Sequence, residues 1–433
     1  MNNPPKTSVL AGVLWAIFAL IGSLPASPAI ASERLDIDGF VKNYSSALDP
    51  PEIDNDPTGL FNQPVLGAVS NRFRINGRYR FSEWLDFQTS YDFVPRVQDG
   101  RLEASASLLT VLDPSTYRLV DLDHRLYPEE GETAGSFIIT HNLDRAFATI
   151  TAPGFDLYVG RQAIAWGSAH AVNPTDIIAP YTFNELDTED RVGVDAIRLR
   201  VPLGFMGEID CGYVSGEDFE WRRSAAFVRG KYYLWKTDIS VMLVGFRENL
   251  MAGLDLTRAV GGAGVWFEGA QVFVGAFEDD KRTADEDYFR ASAGVDYALG
   301  SEIYGFLEYH LNTAGQNQSD RYLSVLATTP YAEGSVYLMG RHYLAPGVTH
   351  QLTPLVSASG QVLMNLSDGS ALLAPSVEYN IARNIYLSVG AFLGIGKGPE
   401  AVTEIGPGRL PLVVNSEFGL YSDVYFTAFR VYF

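Results

Sequence analysis

The chain has 433 residues, with 32 Lys and Arg against 52 Asp and Glu and a formal net charge of −20. This acidic balance excludes the electrostatic grip on phosphates that nucleic-acid binding requires, and the lone Cys211 excludes an internal disulfide framework. Abundant Tyr, Phe and Gly, with a mean hydropathy close to zero, fit an apolar exterior balanced by a polar interior.

Met1 to Ala31 reads as a secretory signal peptide: Lys6, an apolar run from Val9 to Leu24, then Ala29-Ile30-Ala31. No cysteine follows that could take a lipid anchor, and no later stretch reaches the roughly 18 uninterrupted apolar residues of a spanning helix. Strands must therefore do any spanning. Residues 32–433 contain no Pro/Ser-rich linker or charge-run hinge, so one large domain is expected.

Along the chain, apolar residues recur at every second position. Phe73, Ile75, Gly77, Tyr79 and Phe81 alternate with Arg72, Arg74, Asn76, Arg78 and Arg80. After Ser82-Glu83-Trp84, Leu85, Phe87, Thr89, Tyr91 and Phe93 alternate with Asp86, Gln88, Ser90 and Asp92. A hairpin turning on Glu83 sets Arg80 opposite Asp86 and Arg74 opposite Asp92, a basic row facing an acidic one. The alternation continues at Ile239 to Leu243, Val272 to Ala276, Val377 to Ile381 and Ile385 to Leu393, and ends with Tyr425, Thr427, Phe429, Val431 and Phe433.

The connections alternate too. Tight turns are expected at Ser82 to Trp84, Thr151 to Gly154, Pro202 to Phe205, Leu234 to Lys236, Glu268 to Ala270, Leu299 to Ser301, Ala345 to Gly347 and Ala382 to Asn384. Longer polar stretches fall at Asp49 to Gly67, Gln98 to Gly135, Ser168 to Asp190, Glu217 to Arg223, Glu248 to Arg258, Glu278 to Asp287, Asn312 to Glu333 and Ile395 to Asn415, with one short link at Ser367 to Ser370. The fold class is therefore all-β: an antiparallel transmembrane barrel of about 18 strands, or 16 if weak segments are merged, with short periplasmic turns and long extracellular loops. Closure follows from the bilayer, which leaves no partner for the amides of an open sheet edge.

The leader, the alternating turns and the ending Tyr425 to Phe433 resemble the outer-membrane porin class of Gram-negative bacteria. Within that class, Gly160-Arg161-Gln162, Trp166-Gly167 and Asn173-Pro174-Thr175-Asp176 resemble poorly characterised porins and, more loosely, alginate-export-type barrels. The resemblance implies an outer-membrane setting of lipid and lipopolysaccharide, and a C-terminal strand read by the barrel-assembly machinery. Whether the barrel works alone or as a homo-oligomer stays open.

A barrel this wide holds an aqueous lumen unless something fills it. Ser168 to Asp190 mixes His170, Asn173, Asp176 and Tyr181 with Ile177 and Ile178, the composition of a loop that folds inward to constrict the lumen or covers its mouth. Arg72, Arg74, Arg78 and Arg80 form a basic ladder that either selects solutes or braces the wall against Asp86 and Asp92; Arg198, Arg200, Arg229 and Lys231 add inward cations. Strict alternation puts Arg161 in the outward phase, so either a bulge at Gly160 turns it inward or it snorkels to head groups. No histidine pair has zinc spacing, and the acidic Glu278-Asp279-Asp280 and Asp285-Glu286-Asp287 read as a solvated loop; no cofactor or metal is expected.

These features point to passive passage of small polar or anionic solutes. A second reading is an exporter for a polysaccharide or apolar compound, for which Tyr304, Phe306, Tyr386 and Phe392 offer stacking surfaces. A third, a hydrolase built on His342 with Ser388 or Ser335, needs a spacing that chance supplies readily, and the chain is read as a non-enzyme.

Overall fold

The computed structural model describes residues 34–53, 64–102, 117–120, 124–129, 132–133, 135–181, 183–278, 284–401 and 412–433. The expected leader, most of the stretches at 49–67 and 98–135, Asp279 and Asp280, and much of 395–415 lie outside them.

Eighteen strands form one closed antiparallel barrel. They are β1 (Leu35–Asp49), β2 (Leu66–Ser82), β3 (Leu85–Gln98), β4 (Phe137–Ala152), β5 (Phe155–Gln162) and β6 (Val194–Leu203). Next come β7 (Gly207–Ser215), β8 (Ala225–Leu234), β9 (Thr237–Phe246), β10 (Asn249–Val260), β11 (Ala263–Phe273) and β12 (Tyr288–Leu299). The last six are β13 (Ile303–Asn312), β14 (His342–Thr353), β15 (Val356–Asn365), β16 (Ala371–Ala382), β17 (Ile385–Ile395) and β18 (Asp423–Tyr432). Each pairs with its chain neighbours, and β18 closes on β1 with Phe40 opposite Tyr432 and Asp49 opposite Asp423. A short strand, His124–Tyr127, extends the sheet beside β4.

Local chemistry explains the hairpins. In β2–β3 the register sets Arg74 opposite Asp92 and Arg80 opposite Asp86. Trp235-Lys236, Arg247-Glu248 and Gly261-Gly262 all have positive φ at both residues, the backbone that matches a two-residue turn to the twist of its strands.

Two expected turns are corrected. Glu268 to Ala270 lies inside β11, and the turn before it is Gly261-Gly262, where the backbone needs φ of 58° and 90° that glycine adopts without strain. Ala345 to Gly347 lies inside β14, and the turn is Pro354-Leu355. The stretch Glu248 to Arg258, expected as a loop, is mostly strand β10 behind the tight Arg247-Glu248 turn. The loop after β13 runs on to residue 341 with short helical turns, including Tyr322–Val325 and Thr329–Ala332.

The outer surface is apolar. Ile75, Phe81, Ile197, Val228, Val241, Leu243, Val295, Leu307, Val348 and Val389 are all exposed on it, which only hydrocarbon tolerates over so wide a band. Trp84, Phe155, Phe205, Trp235 and Tyr297 are exposed at or beside the tight-turn end, where an aromatic girdle meets the interface. No helix among the described residues is long and apolar enough to cross a membrane.

The interior is not uniformly polar. Val194, Ala196, Val214, Phe227, Met242, Val244, Phe246, Met251 and Val272 face inward at the loop end of β6 to β11, and they bury Ile164, Trp166, Ile177 and Ile178 with Tyr322, Val325 and Tyr331. Loops fill the barrel mouth there as a hydrophobic core would.

Candidate functional site in the lumen

The loop 163–193, between β5 and β6, lies inside the barrel. Its first half docks on β10 to β13 through wall groups of the inward phase. Glu268, fully buried, accepts the amides of Ser168 (3.0 Å), Ala169 (3.1 Å) and Thr175 (2.7 Å) and the Thr175 hydroxyl (2.7 Å). Glu308 accepts the amides of His170 (2.7 Å) and Val172 (3.0 Å), that of Ala171 at 3.3 Å, and the indole N–H of Trp266 (3.1 Å). Ser168 also donates its hydroxyl to Asp255. The Ser292 hydroxyl donates to the Val172 carbonyl (2.6 Å), so the His310 Nδ1 that meets its oxygen at 2.8 Å must be the donor there. A charged acceptor that collects several backbone amides in a dry site is among the stronger polar contacts available to a protein.

The other end of the loop reaches the nearly opposite wall, β18 to β2. Lys42, with its side chain fully buried, meets Asp187 (3.0 Å), Glu189 (2.8 Å) and Asp190 (3.6 Å). Arg72 bridges Asp92 (2.8 Å) and Asp187 (2.9 Å). Arg74 holds Asp92 with two hydrogen bonds, at 2.8 and 2.9 Å, and also binds Asp144 and, at 2.9 Å, Asp190. Arg430 joins Glu189 to Glu378. Asp144 enters this network through a bulge: Ser90 faces Arg145 and Tyr91 faces Leu143, leaving Asp144 as the extra residue, where Arg145 (2.6 Å) and Arg118 (3.8 Å) also find it.

The arginine row of β2 thus splits in two. Arg72 and Arg74 are engaged inside the barrel, whereas Arg78 is half-exposed and bound to Asp86 at 3.1 Å, and the exposed Arg80 has no ion-pair partner within 4 Å among the described residues. The other four cations singled out from sequence are paired across adjacent strands: Arg198 with Asp210 by two bonds at 2.8 and 2.6 Å, Arg200 with Glu208, Arg229 with the Ser240 hydroxyl at 3.0 Å, and Lys231 with Asp238 at 3.5 Å.

The four loop residues singled out from sequence occupy distinct places. The His170 ring lies among Trp266, Phe306 and Tyr304, and its Nε2 is 3.3 Å from Asp296. Asn173 gives its carbonyl oxygen to Arg290 at 3.0 Å. Arg191 sits 2.8 Å from Asp176 and stacks 3.7 Å over the Tyr181 ring. Burial pushes the Asp176 carboxyl up to about 7 despite Arg191. All four line a cavity of about 280 Å³ with Arg191, Arg290 and Tyr337, between the inward loop, β12, β15 and the loop 313–341.

The bulge expected at Gly160 is corrected. Arg161 stays opposite Asp195 in regular register, bonded to it at 2.8 and 2.9 Å, and donates to the carbonyls of Leu143 (3.0 Å) and Val120 (2.7 Å). It is sealed beneath the segment 117–120 and turns neither into the lumen nor out to head groups. His342 bonds Tyr309 (2.7 Å), while Ser388 lies with Glu378 and Arg430, so no serine–histidine site forms from them.

Sequence reasoning missed Glu268, Glu308 and Ser292. Inward-phase polar residues of a wide barrel ordinarily face lumen water, so nothing in the sequence distinguishes these three from solvated wall groups; only the structure shows them buried under the loop.

The closed antiparallel barrel, its apolar outer belt and the inward loop give the chain the fold of a large transmembrane β-barrel. Neither a family model nor a curated protein matches the chain. Among solved structures it is similar to the outer membrane protein opdK from Pseudomonas aeruginosa, with a TM-score of 0.54, 9% identity, and 93% of this chain and 99% of that one covered. It is also similar to OccAB4 from Acinetobacter baumannii, with a TM-score of 0.51, 10% identity, and 92% and 98% covered. OpdK solved with vanillate matches at a TM-score of 0.53 and 10% identity, covering 93% and 99%.

Proposed function

We propose that the protein is a passive outer-membrane channel for small polar or anionic solutes, constricted by the loop 163–193. The observation that carries this reading is the loop itself: it runs through the lumen from Glu268 and Glu308 to Lys42, Arg72 and Arg74, and leaves a cavity of about 280 Å³ lined by guanidinium, amide and phenol groups beside it. A solute of modest size finds donors for a carboxylate at Arg191 and Arg290 and flat surfaces at Tyr181 and Phe183. Residues 1–31 serve as the export leader in this proposal, and the strand ending at Phe433 as the signal to the barrel-assembly machinery.

Swelling of liposomes carrying the purified protein tests the reading. Vanillate, a small organic anion, is expected to enter faster than a cation of equal size, with a neutral sugar of that size between them. Equal rates with empty liposomes for every solute overturn it.

A further inference from the structure

One connected network in the lumen contains, among the described residues, six cations and six carboxylates: Lys42, Arg72, Arg74, Arg118, Arg145 and Arg430 with Asp92, Asp144, Asp187, Glu189, Asp190 and Glu378. Three of these acids belong to the loop and not to the wall. Without Asp187, Glu189 and Asp190 the network carries three uncompensated positive charges, gathered around the buried ammonium of Lys42. The two ends of the loop are also held differently. Its first half is fixed by amides on the buried Glu268 and Glu308, whereas the arm 187–190 is held by ion pairs and the Tyr432 hydroxyl, with Thr188 and Glu189 exposed. The cations of these pairs are buried or mostly buried, but the arm's acids are partly open to water, with side-chain exposures of 16% at Asp187, 39% at Glu189 and 27% at Asp190, so solvent and salt reach this side of the contact and not the buried amide–carboxylate bonds.

Resting on the channel reading above, we propose that the arm 187–190 is an internal anion that masks the cationic cluster of β1, β2 and β18, and that a multivalent organic anion reaches the cluster by displacing it. Exchange of one set of carboxylates for another keeps the buried cations paired throughout, which an empty cluster would not. Monovalent chloride cannot replace three tethered carboxylates at equal ionic strength, so the device favours polycarboxylates over simple salt.

Two readouts test it. In the first, Thr188→Cys in a Cys211→Ser background carries a spin label, and citrate is titrated against sodium chloride at matched ionic strength. Citrate is expected to mobilise the label at least several-fold more than chloride, and equal mobility in the two salts overturns the proposal. In the second, the reversal potential across a salt gradient is compared for the native chain and for Asp187→Asn/Glu189→Gln/Asp190→Asn. A shift toward anion preference in the variant is expected, and an unchanged potential with measurable current overturns the proposal. Glu189→Gln alone, at the most exposed of the three acids, is expected to move the potential the same way should the triple variant fail to fold. A label that responds to citrate in a protein that passes no current keeps the displaceable arm and removes the channel; current with an unresponsive label does the reverse.

Discussion

Replacing Glu268 with glutamine isolates the contact on which loop docking depends. One carboxylate oxygen takes the amide and hydroxyl of Thr175, both at 2.7 Å, and the other takes the amides of Ser168 and Ala169 at 3.0 and 3.1 Å. Glutamine has the same size but one oxygen fewer, so whichever way it turns, two buried donors face an NH2 group. At about 1–3 kcal/mol for each unsatisfied buried donor, the docked loop loses roughly 2–6 kcal/mol, a factor of roughly thirty to tens of thousands in its closed population. Hydrogen–deuterium exchange reads this directly. Peptides within 164–178 are expected to exchange at least tenfold faster in Glu268→Gln, while β1 to β4 keep their protection. Unchanged protection of that segment refutes the docking argument.

Arg74→Ala strips three carboxylates, Asp92, Asp144 and Asp190, of a buried partner and is expected to cost roughly 3–5 kcal/mol in urea unfolding. Arg78→Ala breaks only the half-exposed pair with Asp86 and should cost at most about 1 kcal/mol; equal effects contradict the split of the arginine row. In the loop 313–341, burial raises Glu333 from 4.5 to about 7, even though Asn249 donates to it at 2.8 Å. Its folded form therefore binds a proton more tightly than the unfolded one, so the loop's stability is fully present below about pH 4.5 and declines as pH rises through about 7. Protease resistance of that loop should be higher at pH 5 than at pH 8, and Glu333→Gln should flatten the difference. At Gly167, where φ is +107°, an added Cβ falls 2.3 Å from Asn173 Oδ1 and 2.9 Å from Glu268 Oε1, so Gly167→Ala should undock the same loop as Glu268→Gln in the exchange experiment.

The barrel was legible because two periods coincide, that of the strands and that of their connections. The Arg74–Asp92 and Arg80–Asp86 register followed from one tight turn and strict alternation, and Ile177 and Ile178 marked a loop that does not belong in water. Legibility failed where the inward face is apolar. Met242, Val244 and Phe246 face inward between outward Val241 and Leu243, so alternation disappears just before the Arg247-Glu248 turn, and neither residue there announces positive φ. Ala345-Pro346-Gly347 has the composition of a turn but sits in β14, where the ladder toward β15 passes from Leu344 opposite Met364 to Gly347 opposite Gln361. The docking role of Glu268 and Glu308 needs the third dimension, because their partners lie about 100 and 140 residues away in sequence.

Single-channel recording of the refolded chain in a planar lipid bilayer asks whether the barrel conducts with the loop 163–193 docked in its lumen. Discrete, ohmic current steps are expected, and they should enlarge in Glu268→Gln, where the loop leaves the lumen. A protein that shows the heat-modifiable gel mobility of a folded barrel yet passes no current at any voltage, in either form, would contradict the channel reading.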